Sequence, residues 1–120
     1  MNVRECRERI DVMSLIRTVD VVTLKLWLES AEAVILDVRE PAEYYEWRIN
    51  RAINIPLSTI LVGIDQIKEI QGKKIILQCR VGGRSMRACQ LLQAEGFEHD
   101  VWNLEGGIDA WKEAGYSIIN

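Results

Sequence analysis

One stretch of the chain combines residue types and spacing into chemistry: Cys79-Arg80-Val81-Gly82-Gly83-Arg84-Ser85. The apolar run Ile75-Ile76-Leu77 precedes it, and a helical pattern over residues 85–95 follows it. This order places a cysteine at the end of a buried strand, above a tight loop that feeds a helix N-terminus. Successive backbone N–H groups of such a loop point inward, and the helix adds partial positive charge. Both effects favour thiolate over thiol, so Cys79 reads as a nucleophile. Gly82 and Gly83 are expected to supply the backbone angles of the turn and to keep side chains out of it. Arg80 and Arg84 offer fixed positive charge to an anionic substrate, and Arg84 has a second role open to it, bracing the loop through a carboxylate.

A thiolate ringed by N–H donors can attack an electron-poor sulfur, phosphorus or arsenic centre. Spacing narrows that choice. A cysteine-phosphatase loop carries one residue more between its cysteine and arginine, enough to ring a phosphoryl group. Here four residues separate Cys79 from Arg84, and Ser85 takes the sixth position after the cysteine. A smaller ring suits a smaller target, such as the outer sulfur of a persulfide.

The elements that must position this loop are legible as βα units around a parallel sheet. Residues 33–38, 75–77 and 101–104 form near-continuous apolar runs, as strands covered on both faces do. A shorter strand at 52–55 is closed by Pro56, and an initial strand is expected over 15–19. Leu24, Trp27 and Leu28 share one helical face, with Asp20 as N-cap. Pro41 suits a first helical position. Residues 58–70 read as helical with a break near Gly63. Ala88, Leu91 and Leu92 line the inner face of the helix after the cysteine loop, which Gly96 ends. Ile108, Ala110 and Trp111 follow Gly106-Gly107 in a last helix.

Composition sets limits. At 120 residues the chain holds one ordinary domain, and 48% hydrophobic with 28% charged residues excludes disorder as its general state. A formal net charge of −3 carries no nucleic-acid footprint. Three cysteines at unrelated spacings and a single histidine make neither a disulfide framework nor a metal set. Residues 1–14 are expected to form a loose N-terminal extension, charged at its start and unlike a signal peptide, with the domain running over 15–120. The stretch 21–28 contains Lys25 and is too short to span a bilayer. A cytoplasmic protein without a membrane partner is the expectation, and nothing in the chain specifies an oligomeric state.

Three segments resemble the single-domain rhodaneses, the thiosulfate or persulfide sulfurtransferases. They are Leu36-Asp37-Val38-Arg39-Glu40-Pro41-Ala42-Glu43-Tyr44, the loop Cys79 to Ser85, and Asn103-Leu104-Glu105-Gly106-Gly107-Ile108-Asp109-Ala110-Trp111. Three motifs in order and register are specific where one alone is weak. The resemblance implies an α/β, rhodanese-like three-layer fold: a five-stranded parallel sheet flanked by helices on both faces. It implies a ping-pong reaction through a Cys79 persulfide, with thiosulfate or a protein or low-molecular-weight persulfide as donor and cyanide or a thiol as acceptor. No metal or organic cofactor is implied. The chain departs from the family at Arg48, where a histidine is usual, and at Arg51, which replaces a small residue. Glu43 is expected to pair with Arg48, and the two arginines to make the rim of the site more basic and bulkier.

Other residues have plainer readings. Asp37 and Arg39 are expected to brace the loops as a charge pair, with shaping of the site as the alternative. Cys89 falls on an apolar helical pattern and reads as core, Cys6 as incidental, and His99 as a surface residue. Trp27, Trp102 and Trp111 read as packing, and Trp47 as a residue of the pocket mouth. Two rival functions stand beside sulfur transfer: a binding or regulatory module without turnover, and a cysteine-dependent phosphatase or arsenate reductase.

Overall fold

In the computed structural model, which describes residues 16–120, five short strands alternate with helices. Strand β1 spans Arg17–Val19, and Asp20 caps helix α1, Val21–Glu29, by accepting the Thr23 amide at 2.8 Å. β2 is Ala33–Asp37. Helix α2, Pro41–Glu46, follows with Pro41 in its first turn and the Glu43 carboxylate accepting the Glu40 amide. β3 is Ile53–Asn54. The expected helix over 58–70 divides into a 3-10 turn, Leu57–Thr59, and α3, Ile64–Lys68. Gly63 stands at the break because a Cβ there would lie 2.9 Å from the Ile55 side chain. β4 is Lys74–Gln78, α4 Gly83–Ala94, β5 Val101–Leu104 and α5 Gly107–Glu113. Leu15, the proposed boundary after residue 14 and Cys6 lie outside the described residues.

All strand pairings are parallel, in the order β1-β5-β4-β2-β3. β4 is central, and its register places Ile35 beside Ile76, Leu36 beside Leu77 and Asp37 beside Gln78. Because side chains alternate along a strand, those pairs face opposite sides in turn. One side packs Leu36, Val38, Ile75, Leu77 and Cys79 under α3 and α4 through Ile67, Ala88, Cys89 and Leu92. The other packs Val19, Ala33, Ile35, Ile76 and Leu104 under α1 and α5 through Leu24, Ile108 and Trp111. This is the expected three-layer α/β architecture, with strands buried on both faces and accordingly apolar. Cys79 leaves β4 at the carboxyl edge of the sheet, where open parallel sheets bind ligands. Among the described residues, no helix is long and apolar enough to cross a membrane.

Candidate active site

Cys79 is 1% exposed and points to the α4 side of the sheet, at the floor of the turn that leads into that helix. The turn depends on Gly82, whose φ of +114° lies where residues with a Cβ are strained. Gly83, by contrast, is the first residue of α4 with an ordinary backbone, and a Cβ there would meet nothing. Of the two glycines, only Gly82 is needed for the turn's angles. The helix also starts two residues earlier than the expected 85, so its amides open directly over the sulfur.

The Gly82 N–H donates to Cys79 Sγ at 3.1 Å, and the Ser85 hydroxyl lies 3.4 Å from the same atom. Burial opposes ionisation of the thiol. The Ser85 hydroxyl and amide and the amides of Gly82 and Val81 outweigh it, so the net direction for Cys79 is downward. The donors around the sulfur thus favour its ionised form against the burial that opposes it.

The loop is held from two sides. Arg84 donates from Nη1 and Nη2 to the two carboxylate oxygens of Glu43, at 2.7 and 3.0 Å, which ties the start of α4 to α2. That hydrogen bonding holds the Glu43 carboxyl at about 2, against the desolvation that raises it. The expected Glu43–Arg48 pair does not form. Arg48 lies over the Tyr44 ring, 4.9 Å from its centroid, and its backbone pairs with Ile119. The reason is topological: the loop's own arginine reaches Glu43 in the bidentate geometry a carboxylate favours. Arg51, the other departure, does not crowd the rim. It is exposed at a φ of +72° and lines a cavity of about 460 Å³ with Lys25, Leu28 and Trp111 on the α1 side.

From below, α5 supports the loop. The amides of Ile108 and Asp109 donate to the carbonyls of Cys79 and Arg80 at 2.9 and 3.0 Å. This satisfies helix-end donors and fixes the loop's position in the same contacts. The approach is so close that a Cβ on Gly107 would lie 2.4 Å from the Arg80 carbonyl oxygen. Sequence reasoning did not single out Gly107 as a support; the Gly106-Gly107 doublet was the available signal. Arg80 is turned outward, with its guanidinium 3.4 Å from Asp109, and Val81 is exposed beside it.

Asp37 and Arg39 are an ion pair at 2.7 Å, 0% and 2% exposed, and Arg39 also donates to the Trp47 carbonyl at 2.8 Å. They brace the neighbouring loop as a unit. The Trp47 ring carries two cations, the Arg39 guanidinium 5.1 Å and the Lys112 ammonium 4.0 Å from its centroid. Cys89 is buried in the core and burial pushes its thiol up to about 12. His99 is half-buried, stacks on Phe97 and borders a cavity of about 620 Å³ with Lys74 and Asp100, at the opposite edge of the sheet from Cys79. The site therefore draws on the loop itself, Glu43 and α5, while Arg48, Arg51 and His99 lie outside it. Taken together, a buried sulfur under amide donors at the floor of a rigid turn can add one small electrophilic atom and hold it.

The model for the rhodanese-like domain matches residues 20–114. A sulfurtransferase of Allochromatium vinosum is 33% identical over 88% of this chain and 96% of its own length. An uncharacterised Synechocystis protein is 40% identical over 77% of this chain, which spans half of that relative. Among solved structures, a rhodanese-related protein of Thermoplasma volcanium superposes with a TM-score of 0.71 at 32% identity, covering 86% of this chain and 97% of its own.

Proposed function

Because the chain belongs to the rhodanese-like domain family, we propose that it is a sulfurtransferase that carries a sulfane sulfur on Cys79. The observation that carries this reading is the Gly82 N–H at 3.1 Å from Cys79 Sγ, in a loop with four residues between Cys79 and Arg84. The Cys79 thiolate attacks the outer sulfur of thiosulfate or of a persulfide. The donor's S–S bond breaks, and its electron pair leaves on sulfite or on the donor thiolate. The product is a Cys79 persulfide whose terminal sulfur keeps the negative charge under the loop amides of Val81 to Ser85. A thiol or cyanide then attacks that terminal sulfur and Cys79 departs as thiolate, returned to the donors that stabilised it before. The positive charges of Arg80 and Arg84 draw the anionic donor in. Arg84 does so while clamped to Glu43, so its role is to shape the loop and add charge together. The scheme draws on no metal or cofactor, and free thiols at Cys79 and Cys89 suit a reducing, cytoplasmic setting.

Intact-mass measurement after thiosulfate treatment tests the reading. One added sulfur is expected, lost on addition of cyanide and absent in Cys79→Ser. No adduct on the unaltered chain would favour a binding module. Aryl-phosphate hydrolysis without sulfur transfer would favour a phosphatase.

A further inference from the structure

Asn103 is a buried polar residue in the apolar strand β5, 5% exposed, and its side chain reaches the cysteine loop. Its Oδ1 lies 2.5 Å from Ser85 Oγ, and its Nδ2 donates to the Gly82 carbonyl at 3.3 Å. That carbonyl can only accept, so it fixes the amide with Nδ2 toward the loop and Oδ1 toward the hydroxyl. Ser85 has one hydroxyl proton and three acceptors around it: Asn103 Oδ1 at 2.5 Å, the Gly82 carbonyl at 3.2 Å and Cys79 Sγ at 3.4 Å.

We propose that Asn103 is a positioning residue that sets how readily Cys79 ionises, by competing with its sulfur for the single proton of Ser85. With Cys79 as a thiol, its S–H donates to Ser85 Oγ and the hydroxyl donates to Asn103. On ionisation the thiol proton passes to solvent, and the hydroxyl turns to donate to the thiolate, leaving Asn103 Oδ1 without that donor. Asn103 therefore favours the neutral thiol and holds the sulfur's basicity, and with it its nucleophilic strength, above what the amides alone would set. In the persulfide, Sγ carries no charge and the hydroxyl returns to Asn103. The charged groups nearby do not perform this function: Arg84 is paired with Glu43, Arg80 with Asp109 and Arg39 with Asp37, while Arg87 and Glu105 are exposed.

The inference concerns the thiol on which the proposed function rests, but its test reads ionisation and not sulfur transfer, so the two can fail separately. The full-length chain is alkylated with iodoacetamide across a pH series, and the rate is read by mass on the tryptic peptide 75–80, which carries Cys79 and not Cys89. Asn103→Leu frees the hydroxyl for the sulfur. Its alkylation midpoint is expected to fall by about 0.5 pH units, roughly a threefold gain in thiolate at a pH below the midpoint. Asn103→Asp is expected to raise it. In a Ser85→Ala background the leucine substitution should shift nothing. A folded Asn103→Leu protein with an unchanged midpoint overturns the proposal, as does the same shift persisting without Ser85. Should the leucine variant fail to fold, Asn103→Asp decides: an unchanged midpoint, or an upward shift no smaller in Ser85→Ala, overturns it.

Discussion

Cys79 and Cys89 lie ten positions apart, both 1% exposed, both free and both part of one core cluster, yet their thiols are pushed in opposite directions. Burial acts upward on each. At Cys89, in the middle of α4, nothing offsets it, because the surrounding amides are spent on helix hydrogen bonds. At Cys79, the unspent amides of a helix start and the Ser85 hydroxyl reverse it. The opposite directions follow from which donors remain free beside each sulfur, and exposure does not distinguish the two.

The largest effect should come from exchanging the sulfurs' roles. Cys79→Ser is expected to lower thiosulfate-to-cyanide transfer by about a thousandfold or more, since the persulfide has nowhere to form. Cys89→Ala should leave transfer near the unaltered level; a comparable loss there would break the contrast. Next is the platform that sets the donors. Gly107→Ala forces a Cβ onto the Arg80 carbonyl at a φ of +61° and should lower unfolding stability by about 3 kcal/mol. Gly82→Ala should lower it by about 2 kcal/mol through backbone strain and weaken sulfur loading with it. Gly83→Ala should be near neutral, and thermal melts of the three variants check the order.

A smaller effect sharpens the comparison directly. At neutral pH, iodoacetamide should modify Cys79 alone among these two thiols, with Cys89 reacting only after denaturant is added; equal labelling of both in the folded protein would contradict it. The smallest effect concerns the clamp. Glu43 has a folded value of about 2 against an ordinary 4.5, so its contribution to stability is complete above pH 4.5 and is lost as pH falls toward 2. Urea midpoints should decline over that window, and less steeply in Glu43→Gln.

Much of this was written locally. The strand Ile75-Ile76-Leu77, the helix after the loop and the cap at Asp20 follow from periodicities of two to four residues, which neighbouring side chains determine. The Cys79 loop was legible for the same reason. Glu43 was assigned to Arg48, five residues away, and bonds instead to Arg84, 41 residues away. Gly83 was expected to need its freedom as Gly82 does, and its place inside α4 removes that need.

By itself the sequence determined the class of the fold and the place of the cysteine loop after a buried strand, because these depend on residue type and short spacing. Tertiary structure decided which distant residues hold the loop in place. The strand order β1-β5-β4-β2-β3 brings α5, Asn103 and Glu43 to β4 from both sides. Contacts between segments far apart in the chain are selected by how the sheet packs, and no local pattern encodes them.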